Sequence, residues 1–328
     1  MLEEQLLRLF PLHMREKLRQ ADIDQGTLEE IRVRVGQPLM FLYGDKECFF
    51  DEKGGRLAAR QQDAYRMRSE DLEEMVSFLC SYSIYAYEEQ LRMGYLTLRG
   101  GHRVGVAGEA AQQQGRIVRL QHIYFLNIRI ARERKGCAQA LVNAVRDTHG
   151  IYNTLILSPP GIGKTTYLRD AIRILSEGDA AHAGMKVGVV DERSELGAGY
   201  LGVPQNDLGP RTDVLEGAGK SEGIYMLLRS MSPQIIAVDE LGAKDDFEAV
   251  TRAFHSGCRL IGTVHGENID SLQHLCGFLN WSGRGEIGRF VVLEKDADGQ
   301  RRMHVYDSRM FLVEEKEQSE YIPPIMKE

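Results

Sequence analysis

The apolar and polar positions of the chain follow two different patterns, one before and one after about residue 132. In the first part, alternating apolar residues at 31–35 predict a strand, and residues 70–92 have the apolar spacing of a helix. Short β patterns follow at 95–98, 104–107, 117–120 and 125–130, with glycine-containing turns between them. We therefore expect a small α+β domain over residues 1–132.

Beyond a charged junction at 133–140, short apolar runs alternate with helical stretches. The apolar runs lie at 154–157, 187–190, 235–238 and 260–264, and the helical stretches at 165–175, 223–231 and 247–254. This alternation is typical of a mainly parallel sheet with helices on both faces. A last hairpin, at 290–293 and 303–306, is expected to close its edge. We assign this domain to residues 141–313 and expect the acidic segment 314–328 to be a mobile tail.

Composition excludes several classes of protein. A chain of 328 residues that is 43% hydrophobic can bury a sizeable core, which intrinsically disordered chains cannot. It has no apolar stretch of about 18 residues, as a membrane-spanning helix requires, and acidic residues stand where a signal peptide carries positive charge. Its five cysteines lie far apart without a CxxC pair, so neither a disulfide framework nor a zinc module is indicated. We expect a reduced, cytoplasmic protein without direct membrane insertion.

The charge is acidic overall and unevenly distributed. The net charge of −7 divides into +1 for residues 1–150 and −8 for the remainder. Because neither part is a basic block, nucleic acid is an unlikely partner.

The segment Ser158–Thr166 (Ser-Pro-Pro-Gly-Ile-Gly-Lys-Thr-Thr) has the spacing and context of a phosphate-binding loop, since it follows an apolar strand and opens a helix. Gly161 and Gly163 allow successive backbone N–H groups to point at a phosphate. We expect Lys164 to bridge β- and γ-phosphate oxygens and the Thr165 hydroxyl to join a Mg²⁺ shell. Serine stands at the first motif position, where glycine is usual. The candidate nucleotide-binding residues are Ser158, Gly161, Ile162, Gly163, Lys164, Thr165 and Thr166.

The apolar run at 235–238 ends in two carboxylates, Asp239 and Glu240. In P-loop folds the strand beside the loop delivers an aspartate to the magnesium water shell, and we assign that role to Asp239. Glu240 then stands where it can polarise an attacking water, which favours ATP hydrolysis over phosphoryl transfer to a metabolite. The structural alternative is that Glu240 is the N-terminal carboxylate of the next helix.

Two other strands end in polar residues that could reach the same crevice. In the run Asp191–Glu195, Glu192 could help to position water, and Arg193 could contact phosphate or a neighbouring subunit. The alternative is a solvated loop with an internal ion pair. His265 follows the apolar run at 260–264 and could sense the γ-phosphate, or it could be a structural histidine.

With these motifs the chain resembles the secretion ATPase superfamily, the hexameric P-loop motors of type II and type IV secretion and pilus retraction. The P-loop, an acidic box at Asp191–Glu195, Glu240 and a histidine box at Gly262–His265 occur in the same order. More narrowly, the chain resembles the stage III sporulation protein AA family over nearly its whole length. The segments that match this family best are 82–89, 100–106, 209–220 and 228–233.

The resemblance implies a RecA-like P-loop core that uses ATP and Mg²⁺ and assembles into a ring of identical subunits, a hexamer by analogy. It implies that the ring docks, through partner proteins, on the cytoplasmic side of a channel between mother cell and forespore. It also implies an arginine that reaches the γ-phosphate, for which Arg129 is the best match and Arg103 and Arg211 are second choices. Asp239 departs from the superfamily, where glycine often precedes the glutamate, so the Mg²⁺ role stays open between Asp239 and the Asp191 box.

We therefore expect an ATP-hydrolysing oligomeric motor that energises the assembly of a sporulation channel or transport through it. One alternative is a nucleotide-dependent DNA motor or loader. The other is a scaffold that needs ATP to assemble and hardly turns it over.

Overall fold

The computed structural model describes residues 2–44, 46–51, 53, 55–81, 83, 87–148, 150–274, 286–295 and 301–318. These residues divide into two compact units, and the division falls between Arg132 and Glu133, where the predicted junction begins. The segment Ala198–Gln205 belongs to the first unit although it lies within the predicted second domain. The chain therefore passes between the units three times.

The first unit combines an antiparallel sheet with short helices. The helices are α1 (Glu4–Leu7), α2 (Leu12–Gln20), α3 (Ser69–Leu79) and α4 (Glu88–Arg92). The strands are β1 (Glu30–Arg34), β2 (Met40–Tyr43), β3 (Lys46–Asp51), β4 (Arg56–Ala58), β5 (Tyr95–Thr97), β6 (Arg103–Gln113) and β7 (Arg116–Arg129). The sheet order is β4-β3-β2-β1-β7-β6-β5, with antiparallel neighbours. Alternate residues of β1, such as Ile31 and Val33, are buried in one core with Met14 and Leu72 from the helices.

The helix predicted over 70–92 is interrupted. α3 ends at Leu79, and Ser81 has a left-handed backbone with φ +49°, which an α-helix cannot continue through. The next helix among the described residues is α4, which begins at Glu88. Residues 82 and 84–86 of the family-like segment 82–89 lie outside the described residues.

The patterns at 117–120 and 125–130 belong to one strand, β7, instead of two. The intervening residues keep pairing with β6 through irregularities next to Gly108. A Cβ at Gly108 would lie 1.7 Å from the carbonyl oxygen of His122, so only glycine allows this close approach.

The second unit alternates strands and helices as the sequence predicts. The helices are α5 (Gln139–Val145), α6 (Lys164–Glu177), α7 (Lys220–Ser230) and α8 (Lys244–His255). The strands are β8 (Arg146–Asp147), β9 (Gly150–Ile151), β10 (Thr154–Ser158), β11 (Val187–Asp191), β12 (Thr212–Glu216), β13 (Ile235–Val238), β14 (Arg259–His265), β15 (Arg289–Lys295), β16 (Arg301–Asp307) and β17 (Leu312–Gln318).

The main sheet of this unit has the order β12-β11-β13-β14-β10-β15-β16-β17, parallel from β12 to β15 and antiparallel from β15 to β17. Successive strand residues face opposite sides: Ile156 packs in the core with α5 and α6, and Leu155 and Leu157 pack in the core with α7 and α8. The predicted fold class, a RecA-like core after an α+β domain, is confirmed. The strand β12 was not predicted, because its residues are only half-buried and show no apolar run.

The prediction of a mobile acidic tail from residue 314 is wrong for the first five residues of that segment. These residues continue β17 along β16. Glu315 lies opposite His304 and 3.7 Å from Arg302, so the acidic strand pairs with a basic one. Residues 319–328 lie outside the described residues.

Within the described part of the chain, none of the helices combines the length and the hydrophobicity that a bilayer crossing requires.

Candidate functional site

The loop between β10 and α6 has the shape of a phosphate cradle. Its two glycines have positive φ, +79° at Gly161 and +111° at Gly163, and Gly163 caps the N-terminus of α6. A Cβ added at either glycine would meet no atom within 4 Å. Backbone conformation, not crowding, therefore requires these glycines, and the space beside them is open to a ligand.

Lys164 is the first residue of α6, and its side chain is almost fully buried. Its ammonium donates to the carbonyl oxygen of Ser158 at 2.9 Å and to Nδ1 of His265 at 3.1 Å. Burial lowers the pKa of Lys164. The loop thus holds a partly desolvated positive charge at the helix end that already favours anions.

Sheet register brings three strand ends to the same edge. Ser158 at the end of β10 lies opposite His265 on β14, and Val238 at the end of β13 lies opposite Gly262 on β14. Because the strands are parallel, the residues that follow them meet at the carboxyl edge, where open α/β sheets bind ligands.

Asp239 joins two of these elements through hydroxyl groups. Thr165 Oγ1 on α6 donates to Asp239 Oδ2 at 2.9 Å, and the hydroxyl of Thr263 on β14 donates to Asp239 Oδ1. The backbone N–H of Glu240 donates to Thr263 Oγ1 at 2.8 Å. The predicted pair Thr165 and Asp239 is therefore in direct contact.

Glu240 has a left-handed backbone, with φ +56°, in which non-glycine residues are uncommon and which is often found at functional sites. Its carboxylate contacts His265 Nε2 at 2.9 Å through Oε1 and Arg193 Nη1 at 2.6 Å through Oε2. The N-terminal carboxylate of α8 is Asp246, which accepts from the backbone N–H groups of Gly242 and Ala243. The structural alternative for Glu240 is therefore wrong.

The acidic box has a different arrangement. Asp191 is 1% exposed, and its carboxylate accepts backbone hydrogen bonds from Glu195 at 2.8 Å, Leu196 at 3.0 Å and Gly197 at 2.7 Å. Burial raises the pKa of Asp191 despite these donors. The neighbouring Glu192 forms an ion pair with Lys220. Asp191 thus anchors its loop, and both oxygens are occupied by that task.

The residues present fit a magnesium ion held mainly by phosphate and water. Mg²⁺ usually takes one or two protein oxygens and completes its shell with phosphate and water oxygens. Thr165 and Asp239 provide such oxygens at the mouth of the loop. Among the described residues, no group of three or more His, Cys, Asp or Glu side chains could hold a metal by itself.

The three candidate arginines have partners within their own units. Arg129 and Arg103 belong to the first unit, where Arg129 Nε is 3.9 Å from Glu30 Oε2 and Arg103 stacks over the ring of Tyr95. Arg211 donates to the carbonyl oxygens of Ser176 and Glu177 at the C-terminal end of α6. Since α6 has 14 residues, about 20 Å separates that end from Lys164. Within one chain the structure does not bring Arg211 to the loop.

Arg169 is a residue of this region that the sequence did not reveal. Its guanidinium donates to the carbonyl oxygens of Glu195 at 2.6 Å and Leu196 at 3.2 Å, so it ties the Asp191 loop to α6. It follows Thr165 by four residues and so shares its helix face, which is the signal that could have identified it.

The model of the family described as "Sporulation stage III, protein AA" matches residues 2–313. The chain belongs to the stage III sporulation protein AA family. It is 37% identical over 270 residues to stage III sporulation protein AA of Bacillus subtilis (strain 168), a match that covers 82% of this chain and 83% of that protein. It is also 28% identical over 195 residues to the uncharacterized protein ycf45 of Cyanidium caldarium, covering 59% of this chain and 52% of the relative.

Solved structures of ATPases share the fold of this stage III sporulation AA chain. The ATPase DotB of Legionella pneumophila superimposes with a TM-score of 0.56 at 15% identity, over 89% of this chain and 78% of DotB. The pilus retraction motor PilT, solved with bound ADP, superimposes with a TM-score of 0.58 at 13% identity, over 92% of this chain and 82% of PilT. The predicted resemblance to the secretion ATPase superfamily is confirmed at the level of fold.

Proposed function

We propose that this chain is an ATP-hydrolysing motor of the secretion ATPase type that acts in sporulation. One observation carries the proposal: three separate strand ends and one helix start bring Lys164, Thr165, Asp239 and Glu240 into one connected set of hydrogen bonds beside an open glycine loop. A surface loop with a chance glycine pattern would have no reason to assemble these groups.

In this proposal the loop residues, with Lys164, Thr165 and Thr166, bind the phosphates of ATP. The Lys164 ammonium, now on Ser158 O and His265, exchanges these partners for phosphate oxygens. Thr165 and Asp239 hold Mg²⁺, which, when bound, neutralises the charge on the phosphates and orients them.

Glu240 is the catalytic base in this proposal. Its carboxylate accepts a proton from water as the water oxygen forms a bond to the γ-phosphorus and the bond from that phosphorus to the bridging oxygen of ADP breaks. His265 has Nδ1 turned to an ammonium that can only donate, so its Nε2 carries the proton and donates to Glu240. A γ-phosphate that draws Lys164 away from His265 therefore changes the partners of Glu240 as well.

The family membership and the fold shared with secretion ATPases support the remaining parts of the proposal. These are assembly of identical subunits into a ring, recruitment to a membrane channel by partner proteins, and use of hydrolysis to assemble that channel or to drive transport through it. Arg129 or Arg103 would then act on the nucleotide of a neighbouring subunit.

The experiment compares phosphate release and light scattering for the purified protein with MgATP. We expect slow phosphate release together with a nucleotide-dependent increase in mass. Assembly without any phosphate release would favour the scaffold function, and release that rises only with added DNA would favour a DNA motor. If the protein shows no nucleotide-dependent assembly and no phosphate release, the proposal is contradicted.

A further inference from the structure

Arg193 forms a short ion pair with the residue that we propose as the catalytic base. Its Nη1 lies 2.6 Å from Glu240 Oε2, while the other carboxylate oxygen faces His265. Such charge-assisted contacts fix the orientation of a carboxylate as well as compensating its charge. Glu240 is therefore held on both sides.

The loop that carries Arg193 is held in place by hydrogen bonds to the backbone of residues 195–197. The Asp191 carboxylate binds the backbone N–H groups of residues 195–197, and Arg169 binds the carbonyl groups of residues 195 and 196 from α6. The Arg193 side chain itself is 60% exposed. The fixed loop backbone can keep the Arg193 guanidinium near Glu240, and the exposed side chain still allows the contact to break.

The charges of the site explain why this pair matters. ATP brings several negative charges to a loop beside which Glu240 already holds one. Lys164 and His265 contact each other on one side of Glu240, and Arg193 supplies the positive charge on the other side. Without Arg193, the Glu240 carboxylate would face the incoming phosphates with no cation next to Oε2.

We propose, building on the function above, that Arg193 is a positioning residue for Glu240. It orients the carboxylate and cancels its charge, so that the negatively charged nucleotide can bind next to the base that will act on it. In this chain the acidic box thus works through Arg193, and the buried Asp191 supports the loop from which Arg193 projects.

A double-mutant cycle tests this inference, because it separates an effect through Glu240 from a direct contact with phosphate. Binding of a non-hydrolysable ATP analogue with Mg²⁺ is measured calorimetrically for the wild type, Arg193→Gln, Glu240→Gln and the double variant. We expect Arg193→Gln to weaken binding about threefold to fivefold in the wild-type background, as for an exposed ion pair, and to have no effect beside Glu240→Gln. Arg193→Lys keeps the charge and should restore most of the affinity.

Lys220→Gln is the matched control, since it removes the ion pair of the adjacent Glu192 and leaves the Arg193–Glu240 contact in place. An equal loss in both Glu240 backgrounds would overturn the inference by assigning Arg193 directly to the phosphates. Unchanged binding of Arg193→Gln would overturn it as well. A wild-type protein that binds no analogue would instead overturn the proposed function on which the inference rests.

Discussion

Two strands of the same sheet end in aspartates that look alike in sequence and differ in structure. Asp191, the last residue of β11, is buried, and three backbone N–H groups occupy its oxygens. Asp239 after β13 binds the hydroxyl groups of Thr165 and Thr263, and the partly exposed Glu240 follows it. Backbone partners build a loop, whereas side-chain partners can be exchanged for a ligand. From this comparison we expect a structural role for Asp191 and a role in the proposed nucleotide chemistry for Asp239 and Glu240.

The largest expected effect is on turnover. Glu240→Gln removes the proposed base, so ATP hydrolysis should fall by about 100-fold or more while nucleotide binding persists. Phosphate release and calorimetry on the same sample measure the two quantities. Glu248→Gln on α8, which removes an exposed carboxylate paired with Lys244, is the control and should hydrolyse normally. Normal ATP turnover by Glu240→Gln would contradict the proposed role of Glu240 as the catalytic base.

The next effect is on stability. Asp191→Asn keeps only one oxygen that can accept hydrogen bonds, whereas the loop presents three backbone N–H donors. The new amide N–H₂ group is itself a donor and cannot accept from the remaining N–H groups. We expect the variant to lose about 2 kcal/mol of unfolding free energy, about 4–8 °C in melting temperature, as for an unsatisfied buried group. In the folded variant, nucleotide affinity should stay within about twofold. An unchanged melting temperature with lost nucleotide binding would reverse the assignment of Asp191.

Magnesium separates the two aspartates directly. Asp239→Asn keeps the shape of the side chain but removes an ionised oxygen next to Thr165, so binding of the ATP analogue should require about tenfold more Mg²⁺. A magnesium titration of both variants provides the measurement. If Asp191→Asn shifts the titration and Asp239→Asn does not, the metal belongs to the Asp191 box.

The smallest effect is a pH dependence of stability. Because burial raises the pKa of Asp191 above its value of 3.8 in the unfolded chain, the folded protein binds this proton first as pH falls. The contribution of Asp191 to the free energy of unfolding therefore grows as pH falls through this raised pKa towards 3.8. Denaturant unfolding of wild type and Asp191→Asn should show this growing difference, by at most about 1.4 kcal/mol per pH unit. A difference that shrinks instead would mean that the carboxylate is stabilised in its charged form.

The residues of the candidate site could be selected from the sequence because their signals are local. The spacing of Gly161, Gly163 and Lys164 and the two carboxylates after a strand can be recognised without knowing the fold. Parallel strands then bring them together, since their carboxyl ends share one edge.

Other features depend on contacts that no local pattern reveals. Burial of Asp191, and the partners that distinguish it from Asp239, follow from loop closure over residues 195–197. Arg211 matched a family-like segment, yet its position at the far end of α6 depends on where β12 joins the sheet. The break after α3 depends on one left-handed residue, Ser81, whose type gives no warning.

The central claim is that the loop around Lys164 binds a nucleoside triphosphate, and calorimetry with Mg²⁺ and the ATP analogue tests it most directly. The account predicts saturable binding by the wild type and a loss of at least about 100-fold in Lys164→Ala, with folding of the variant verified by its melting curve. Equal binding by the wild type and Lys164→Ala, or no binding by a folded wild type, would contradict it.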